Sequence, residues 1–285
     1  MYKRVNNWYN RQHQVLQFII LVIIVFLIRT FFFGLYQVPT GSMETTMLVG
    51  ERFFADKLTV WFTPIKRGDI ISFNDPNFEY SDNTLTNFWQ RYVWGPSNWT
   101  KRVIGIPGDH VVGKIEEGKP VVYRNGERLH EPYLNKYPII AVWKSEPYLY
   151  NGMWFADGYS YKSYDPNVSY ADQPFYKLDP MYIANNPRIT KIYYPQTPYP
   201  GDIDTFDVTL GDNEYWVMGD NRLGSYDSRG WGKLDGKLIH GKILFRFFSL
   251  DTAENWTDWL PIDLVLHPVE FFKRIRWSRC LQFVH

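Results

Sequence analysis

"WTKRVIGIPGD", residues 99–109, sets two cations side by side in a run that is otherwise apolar up to a Pro-Gly turn. Side chains of a strand alternate between its faces, so Lys101 shares a side with Val103 and Gly105, and Arg102 with Thr100 and Ile104. Unless this strand lies at a sheet edge, one of the two cations faces apolar neighbours. Arginine keeps its proton at any ordinary pH. A buried lysine can lose it, because burial disfavours the ammonium and lowers its pKa by up to ~3–5 units. Lys101 is the member of the pair that can become a neutral base, although most lysines are simply solvated surface cations.

Outward from this run the chain keeps the rhythm of short strands and turns. "ERFFADKLTV" (51–60), "GDIISFN" (68–74), "DHVVGK" (109–114), "EYWVMGD" (214–220) and "KILFRFFSL" (242–250) have strand length and end at Gly, Pro or Asp. In "PVVYRNGERL" (120–129) the pair Asn125-Gly126 stands between β-prone arms, a hairpin signal. No comparably strong amphipathic helix follows residue 40. The expected fold is mainly β, an antiparallel assembly over 31–130 and 213–250. Residues 75–98 and 131–212 break the rhythm with Pro, Tyr, Asn and Asp. The second is too long for a plain loop in a compact domain and is expected to be an inserted subdomain. "GDIDTFDVTLGDN" lacks the Gly and Glu of a calcium loop and reads as a solvated turn.

Near the amino end, "VLQFIILVIIVFLI" (15–28) is apolar apart from Gln17, with Lys3, Arg4 and Arg11 before it and Arg29 after. A helix over 12–30 approaches the ~20 residues that span a bilayer. A cleaved secretory leader has a similar basic start and apolar core, but no small-x-small site follows in "RTFFFGLYQV". The basic amino end places residues 1–11 in the cytoplasm and the chain after about residue 31 outside it. The tail, 251–285, mixes Lys273, Arg274, Arg276 and Arg279 with aromatic residues, a composition suited to an anionic membrane surface. On a helical wheel its charges do not separate from its apolar residues, so packing on the domain fits equally well.

Composition narrows the chemistry. The net charge of the 285 residues is +1, which provides no field for nucleic acid. Cys280, the single cysteine, excludes an intramolecular disulfide and a cysteine zinc site, and the six histidines are scattered without ligand spacing. No metal or other cofactor is expected. The 19% aromatic content favours strands and membrane interfaces.

"QVPTGSMETTML" (37–48) puts Ser42 within 12 residues of Thr30, hence within about 40 Å of the bilayer. A serine in such a turn commonly serves local hydrogen bonds. As a nucleophile it needs a base, and with no G-x-S-x-G elbow and no histidine in a triad context another residue type must serve, as a desolvated lysine can.

Taken in order behind a membrane anchor, "TGSMETTML", "GDIISF", "TKRVIGIPGD" and "GDNRLGSYDSRGWG" resemble the type I signal peptidases, Ser/Lys-dyad enzymes that remove signal peptides from exported pre-proteins. The resemblance runs over 37–248 and leaves the two interrupting stretches uncovered. It implies an antiparallel β catalytic domain of signal-peptidase type on the extracytoplasmic side of the cytoplasmic membrane, with exported pre-proteins and membrane lipid as partners. Ser42 would be the nucleophile and Lys101 the general base. Thr40 would add its hydroxyl to the Ser42 backbone amide in the oxyanion hole, and Ser225 would orient the lysine. Asp227, Arg229, Gly219 and Asp220 would brace the loop around Ser225, and Val38 and Met43 would line the pocket for the small residues of an Ala-x-Ala site. Thr45 stands where the family usually has Pro, and Leu223-Gly224 where it commonly has Asp-Asn. Two other readings are a self-cleaving repressor peptidase, disfavoured by the anchor and the lack of a DNA-binding region, and a catalytically inactive, membrane-tethered β-rich binding module.

Overall fold

The computed structural model describes residues 2–92, 95–135, 139–143, 148–150, 153–155, 159–163, 191–193, 203–250 and 264–284. Helix α1 (Tyr2–Phe31) is longer at its amino end than the 12–30 span expected from hydropathy. Its Gln14–Phe31 stretch is long and apolar enough to cross a membrane, and none of that stretch is buried against the chain. A helix satisfies its own backbone groups, which is what allows so apolar a segment to lie in lipid. The chain passes directly into β1 (Phe33–Gln37), so the first strand of the domain starts where the helix stops.

Strands β2 (Glu51–Asp56), β3 (Ile70–Asn74), β4 (Asn98–Gly105), β5 (His110–Glu116), β6 (Lys119–Arg124) and β7 (Glu127–Arg128) follow the sequence reading within a few residues. Asn125 and Gly126 both have positive φ, the backbone a two-residue hairpin loop requires. Between β3 and β4 the structure adds helix α2 (Thr84–Tyr92), absent from the sequence reading. Asn83 caps it by accepting from the backbone N–H groups of Leu85 and Thr86, and Leu85, Phe88 and Trp89 project at helical spacing.

Three short pairings follow among β8 (Ile139–Trp143), β9 (Tyr148–Tyr150), β10 (Met153–Phe155), β11 (Tyr159–Ser163) and β12 (Lys191–Tyr193); β8 joins β11 and β12, and β9 pairs β10. Most of the 131–212 stretch lies outside the described residues. Its last part forms β13 (Phe206–Thr209), which pairs with β5. Then come β14 (Glu214–Met218), a short helix α3 (Ser228–Trp231), β15 (Leu234–Asp235), β16 (Ile239–Ser249), helix α4 (Pro268–Arg274) and β17 (Gln282–Phe283).

Two antiparallel sheets position the site. The larger runs β1-β2-β16-β3-β4-β14-β15, with β17 added along β16; the smaller runs β13-β5-β6-β7. Strand β4 is apolar on both faces. Val103 packs with Ile71, Phe73, Val217 and Leu234, whereas Ile104 packs with Val111, Val122, Leu210, Trp216 and Met218, which join the two sheets. Alternation therefore does not choose between the two cations: Lys101 is 5% exposed and Arg102 2%. Each cation must be accommodated inside.

The acidic segment also departs from expectation. Asp204 is not a solvated turn residue: its carboxylate pairs with the Arg229 guanidinium at 2.7 Å. The tail packs on the domain through Phe271 and Ile275, which meet Leu250, while Phe272, Trp277, Leu281 and Phe283 remain exposed.

Candidate active site

The segment between β1 and β2 reverses through one tight turn, Gly41–Met43. Val38, Met43 and Met47 anchor it, buried with Phe53, Ala55, Ile70 and Ile243. Burying one such side chain contributes roughly 1.5–3 kcal/mol, so the turn is seated by apolar contacts on both sides of Ser42. Val38 and Met43, expected at the substrate pocket, thus sit in the core beneath the turn. Thr40 precedes it in extended backbone, exposed, and its hydroxyl makes no capping bond to the turn.

Lys101 lies opposite Ile71 in the β3–β4 ladder, one residue before the Arg102–Met218 pairing with β14. Its Nζ donates to Ser42 Oγ at 2.8 Å, joining residues 59 apart in the chain. Burial is the main cause that pushes the Lys101 pKa down to about 8; Asp227 and Asp220 pull it back up, and Arg229 opposes them. At that value about a tenth of the amine is neutral at pH 7. In the neutral form the same contact reverses, and the nitrogen lone pair accepts the Ser42 proton.

The chain leaving β14 forms the loop that encloses this pair. Gly219 has no room for a side chain: a Cβ there would lie 2.3 Å from Ser225 Oγ and 2.4 Å from the Ser42 carbonyl oxygen. Asn221 ties the two segments together, its N–H donating to the Ser42 carbonyl at 3.1 Å and its side-chain amide to the Gly41 carbonyl at 2.9 Å. Ser225 is buried against Gly219, and its hydroxyl makes no hydrogen bond to Lys101. Although that hydroxyl lies near the Asp227 carboxylate, it falls short of hydrogen-bond geometry there as well.

Asp227 accepts from the Gly219 N–H at 2.9 Å and from the Arg229 guanidinium at 2.9 Å through each carboxylate oxygen. Burial works to raise its pKa, but the Arg229 charge and these hydrogen bonds overcome that and hold it below the ordinary value. Arg229 also reaches the Arg222 carbonyl and Asp204, so it closes the loop on itself.

Asp220 has a different partner from the one its motif neighbours imply. It takes a two-pronged contact from Arg102 at 2.8 and 2.7 Å and accepts from the Thr46 hydroxyl at 2.5 Å. Tyr133 covers the Arg102 guanidinium at 4.0 Å from the ring centroid. The sequence reading missed Arg102, Asn221, Thr46 and Tyr133. The signal for the first was present, since a second cation in a strand buried on both faces requires a carboxylate. Among the described residues no group of His, Cys, Asp and Glu could hold a metal ion.

The structure thus brings a serine hydroxyl against a desolvated lysine, enclosed by a Gly-Asp-Asn loop. The family model described as "Signal peptidase, peptidase S26" matches residues 11–248. This chain belongs to that family. Family membership makes it a serine endopeptidase of the class that removes signal peptides from exported proteins. Similar proteins include signal peptidase I of Bacillus amyloliquefaciens, 29% identical over 234 residues that cover 82% of this chain and 85% of the relative. Signal peptidase I T of Bacillus subtilis (strain 168) is 28% identical over 234 residues, covering 82% and 83%. Signal peptidase I of Buchnera aphidicola subsp. Schizaphis graminum is 26% identical over 255 residues, covering 81% and 73%. A crystal structure of a signal peptidase I from Enterococcus faecalis V583 is 19% identical, covers 63% of this chain and 97% of that one, and has a TM-score of 0.30. The signal peptidase match ends before α4 and β17, and it includes Ser42, Lys101 and the loop from Gly219 to Arg229.

Proposed function

We propose that this protein cleaves signal peptides after a small residue of an Ala-x-Ala site, through an acyl-enzyme on Ser42 with Lys101 as the general base. The observation that carries the reading is the 2.8 Å contact between Lys101 Nζ and Ser42 Oγ inside a buried site. Neutral Lys101 takes the Ser42 proton as Oγ attacks the scissile carbonyl carbon. The oxyanion so formed accepts from the Ser42 backbone N–H and, after a rotation of its exposed side chain, from the Thr40 hydroxyl. Each such donor is worth ~2.7–4 kcal/mol in comparable sites. The Lys101 ammonium then gives its proton to the departing amine of the mature protein. The signal peptide remains as an ester on Ser42 until a water, deprotonated by Lys101, releases its new carboxylate. Ser225, Asp227, Arg229, Gly219 and Asp220 hold the loop that keeps Lys101 dry.

The protein acts at the cytoplasmic membrane as a single-pass protein, with its amino terminus inside and its catalytic domain outside. α1 supports the anchoring. Lipid contact extends to the domain: Phe33, Leu35, Phe54 and Phe283 are exposed on the strands nearest α1, with β1 paired to β2 and β17 to β16. Nucleic acid has no part in the reading.

The test is cleavage of a pre-protein by the full chain in detergent, with the new amino terminus sequenced. Ser42→Ala and Lys101→Ala, each shown to be folded, are expected to abolish the cut. Cutting that survives either substitution rules out the dyad, and a folded wild type that cuts no pre-protein favours the inactive binding module.

A further inference from the structure

The loop that follows Ser42 is gripped by the carboxyl-terminal tail, a segment beyond the family match. Glu51 is fully buried and accepts from Arg279 Nε at 2.6 Å and Nη2 at 3.2 Å, from Arg246 at 3.1 Å, from the Ser249 hydroxyl at 2.9 Å and from the Leu48 N–H at 2.9 Å. Neutralised in this way, Arg279 still directs Nη2 at the carbonyls of Thr45 and Thr46, at 3.3 and 3.2 Å. Arg246 reaches the Thr46 carbonyl too, at 3.1 Å. Arg279 is itself held: its carbonyl accepts from Arg246 Nε at 2.7 Å, and β17, just beyond it, pairs with β16.

Thr45 and Thr46 follow the nucleophile by three and four residues. Thr has no ring to fix φ at position 45. Carbonyls held from one side by Arg279 and a Thr46 hydroxyl held from the other by Asp220 restrict that backbone instead. Asp220 is in turn bound by Arg102, the neighbour of Lys101. Tail, nucleophile turn and lysine strand are therefore joined by one continuous hydrogen-bonded path.

We infer that Arg279, delivered by the carboxyl-terminal tail, is a positioning residue that sets the Ser42 turn against Lys101, so that cleavage depends on a segment outside residues 11–248, the span of the family match. This inference rests on Ser42 and Lys101 being the reacting pair. A guanidinium is needed because its planar fork grips a carboxylate and still reaches the two carbonyls; an ammonium at the same place supplies charge without the fork.

The experiment compares wild type, Arg279→Lys, Arg279→Ala and Ser42→Ala as full chains in detergent, measuring kcat, KM and the unfolding midpoint. Arg279→Lys keeps a cation for Glu51, so the fold is expected to survive. Its kcat is expected to fall roughly ten- to hundredfold, as a misplaced nucleophile costs, with KM changed less than about twofold, because ground-state binding of the signal peptide does not use the turn carbonyls. Arg279→Ala is expected to fall further and to recover at least a few-fold when methylguanidinium is added, since the Arg279 side chain is 26% exposed and its place is open to a solute. A folded Arg279→Lys with wild-type kcat overturns the inference. So does a loss confined to KM, or a loss of kcat no larger than the fall in folded fraction. Activity that persists in Ser42→Ala overturns the dyad reading instead, and the two failures are told apart in one set of measurements.

Discussion

Replacing Lys101 by Met removes the amine while keeping an unbranched side chain of similar length, and it separates chemistry from stability. The displacement of the lysine from its ordinary value of 10.5 to about 8 corresponds to roughly 3 kcal/mol spent on holding an ammonium in a dry site. The unfolded chain keeps this proton up to a pH of about 10.4, whereas the folded chain releases it near 8. Between those values the unfolded state binds more protons, so native stability rises with pH across that window; below it the full cost is present. Met lacks the cost and loses one hydrogen bond to Ser42, worth about 1 kcal/mol. Lys101→Met is therefore expected to be inactive yet more stable than wild type by roughly 2 kcal/mol at pH 6–7. That difference should shrink, and then change sign, as pH rises from about 8 to 10.4. The assay is equilibrium unfolding in detergent at pH 6.5 and 9.5, run beside a wild-type pH–rate profile. In that profile kcat/KM should fall about tenfold per pH unit below 8 and level off above it. A flat profile from pH 6 to 9, or a Met variant less stable than wild type by the same amount at both pH values, refutes the reasoning.

Other outcomes follow from the same geometry. Gly219→Ala is expected to lose activity and stability, by about 1–3 kcal/mol of overpacking, because its methyl meets Ser225 and the Ser42 carbonyl; chemical denaturation with a kcat measurement checks it. Arg102→Met leaves the Asp220 carboxylate buried without its ion partner and should lower stability by roughly 3–5 kcal/mol, whereas Arg102→Met combined with Asp220→Leu should recover much of that loss. Asn221→Ala removes the amide that holds the Gly41 carbonyl but leaves the backbone bond to Ser42, so a several-fold fall in kcat with little change in KM is expected. Burial, with Lys57 adding to it, depresses His240 to about 3. The unfolded chain binds that proton from about pH 6.5 downward, so native stability should drop as pH falls from there toward 3, and His240→Gln should flatten the drop in a thermal-melt series.

Strands β2 to β7, β14 and most of β16 could be read from the chain because their β-prone runs end at turn residues, and Asn125-Gly126 takes the positive-φ backbone its hairpin needs; β13 could not, since it falls in the acidic stretch that reads as a turn. Helix α2 was missed because its nine residues carry only three apolar side chains, and the capping Asn83 stands in a stretch that reads as loop. Periodicity reports on faces, and it lost its power at β4, where both faces are covered. Pairings across long chain separations left no local trace: nothing near Arg229 marks Asp204 as its partner, and nothing near Glu51 points to Arg279, 228 residues away.

What the sequence determined alone is the chemistry available: an apolar segment able to cross a bilayer, a serine twelve residues beyond it, and a lysine in an apolar strand. Residue types and local spacing suffice for those, since they depend on covalent structure and short-range propensity. Tertiary structure decided that the two side chains meet at 2.8 Å, that burial lowers the pKa of one of them to about 8, and that Asn221 and Arg279 hold the turn in place. Desolvation and hydrogen-bond geometry arise only when segments far apart in the chain exclude water together.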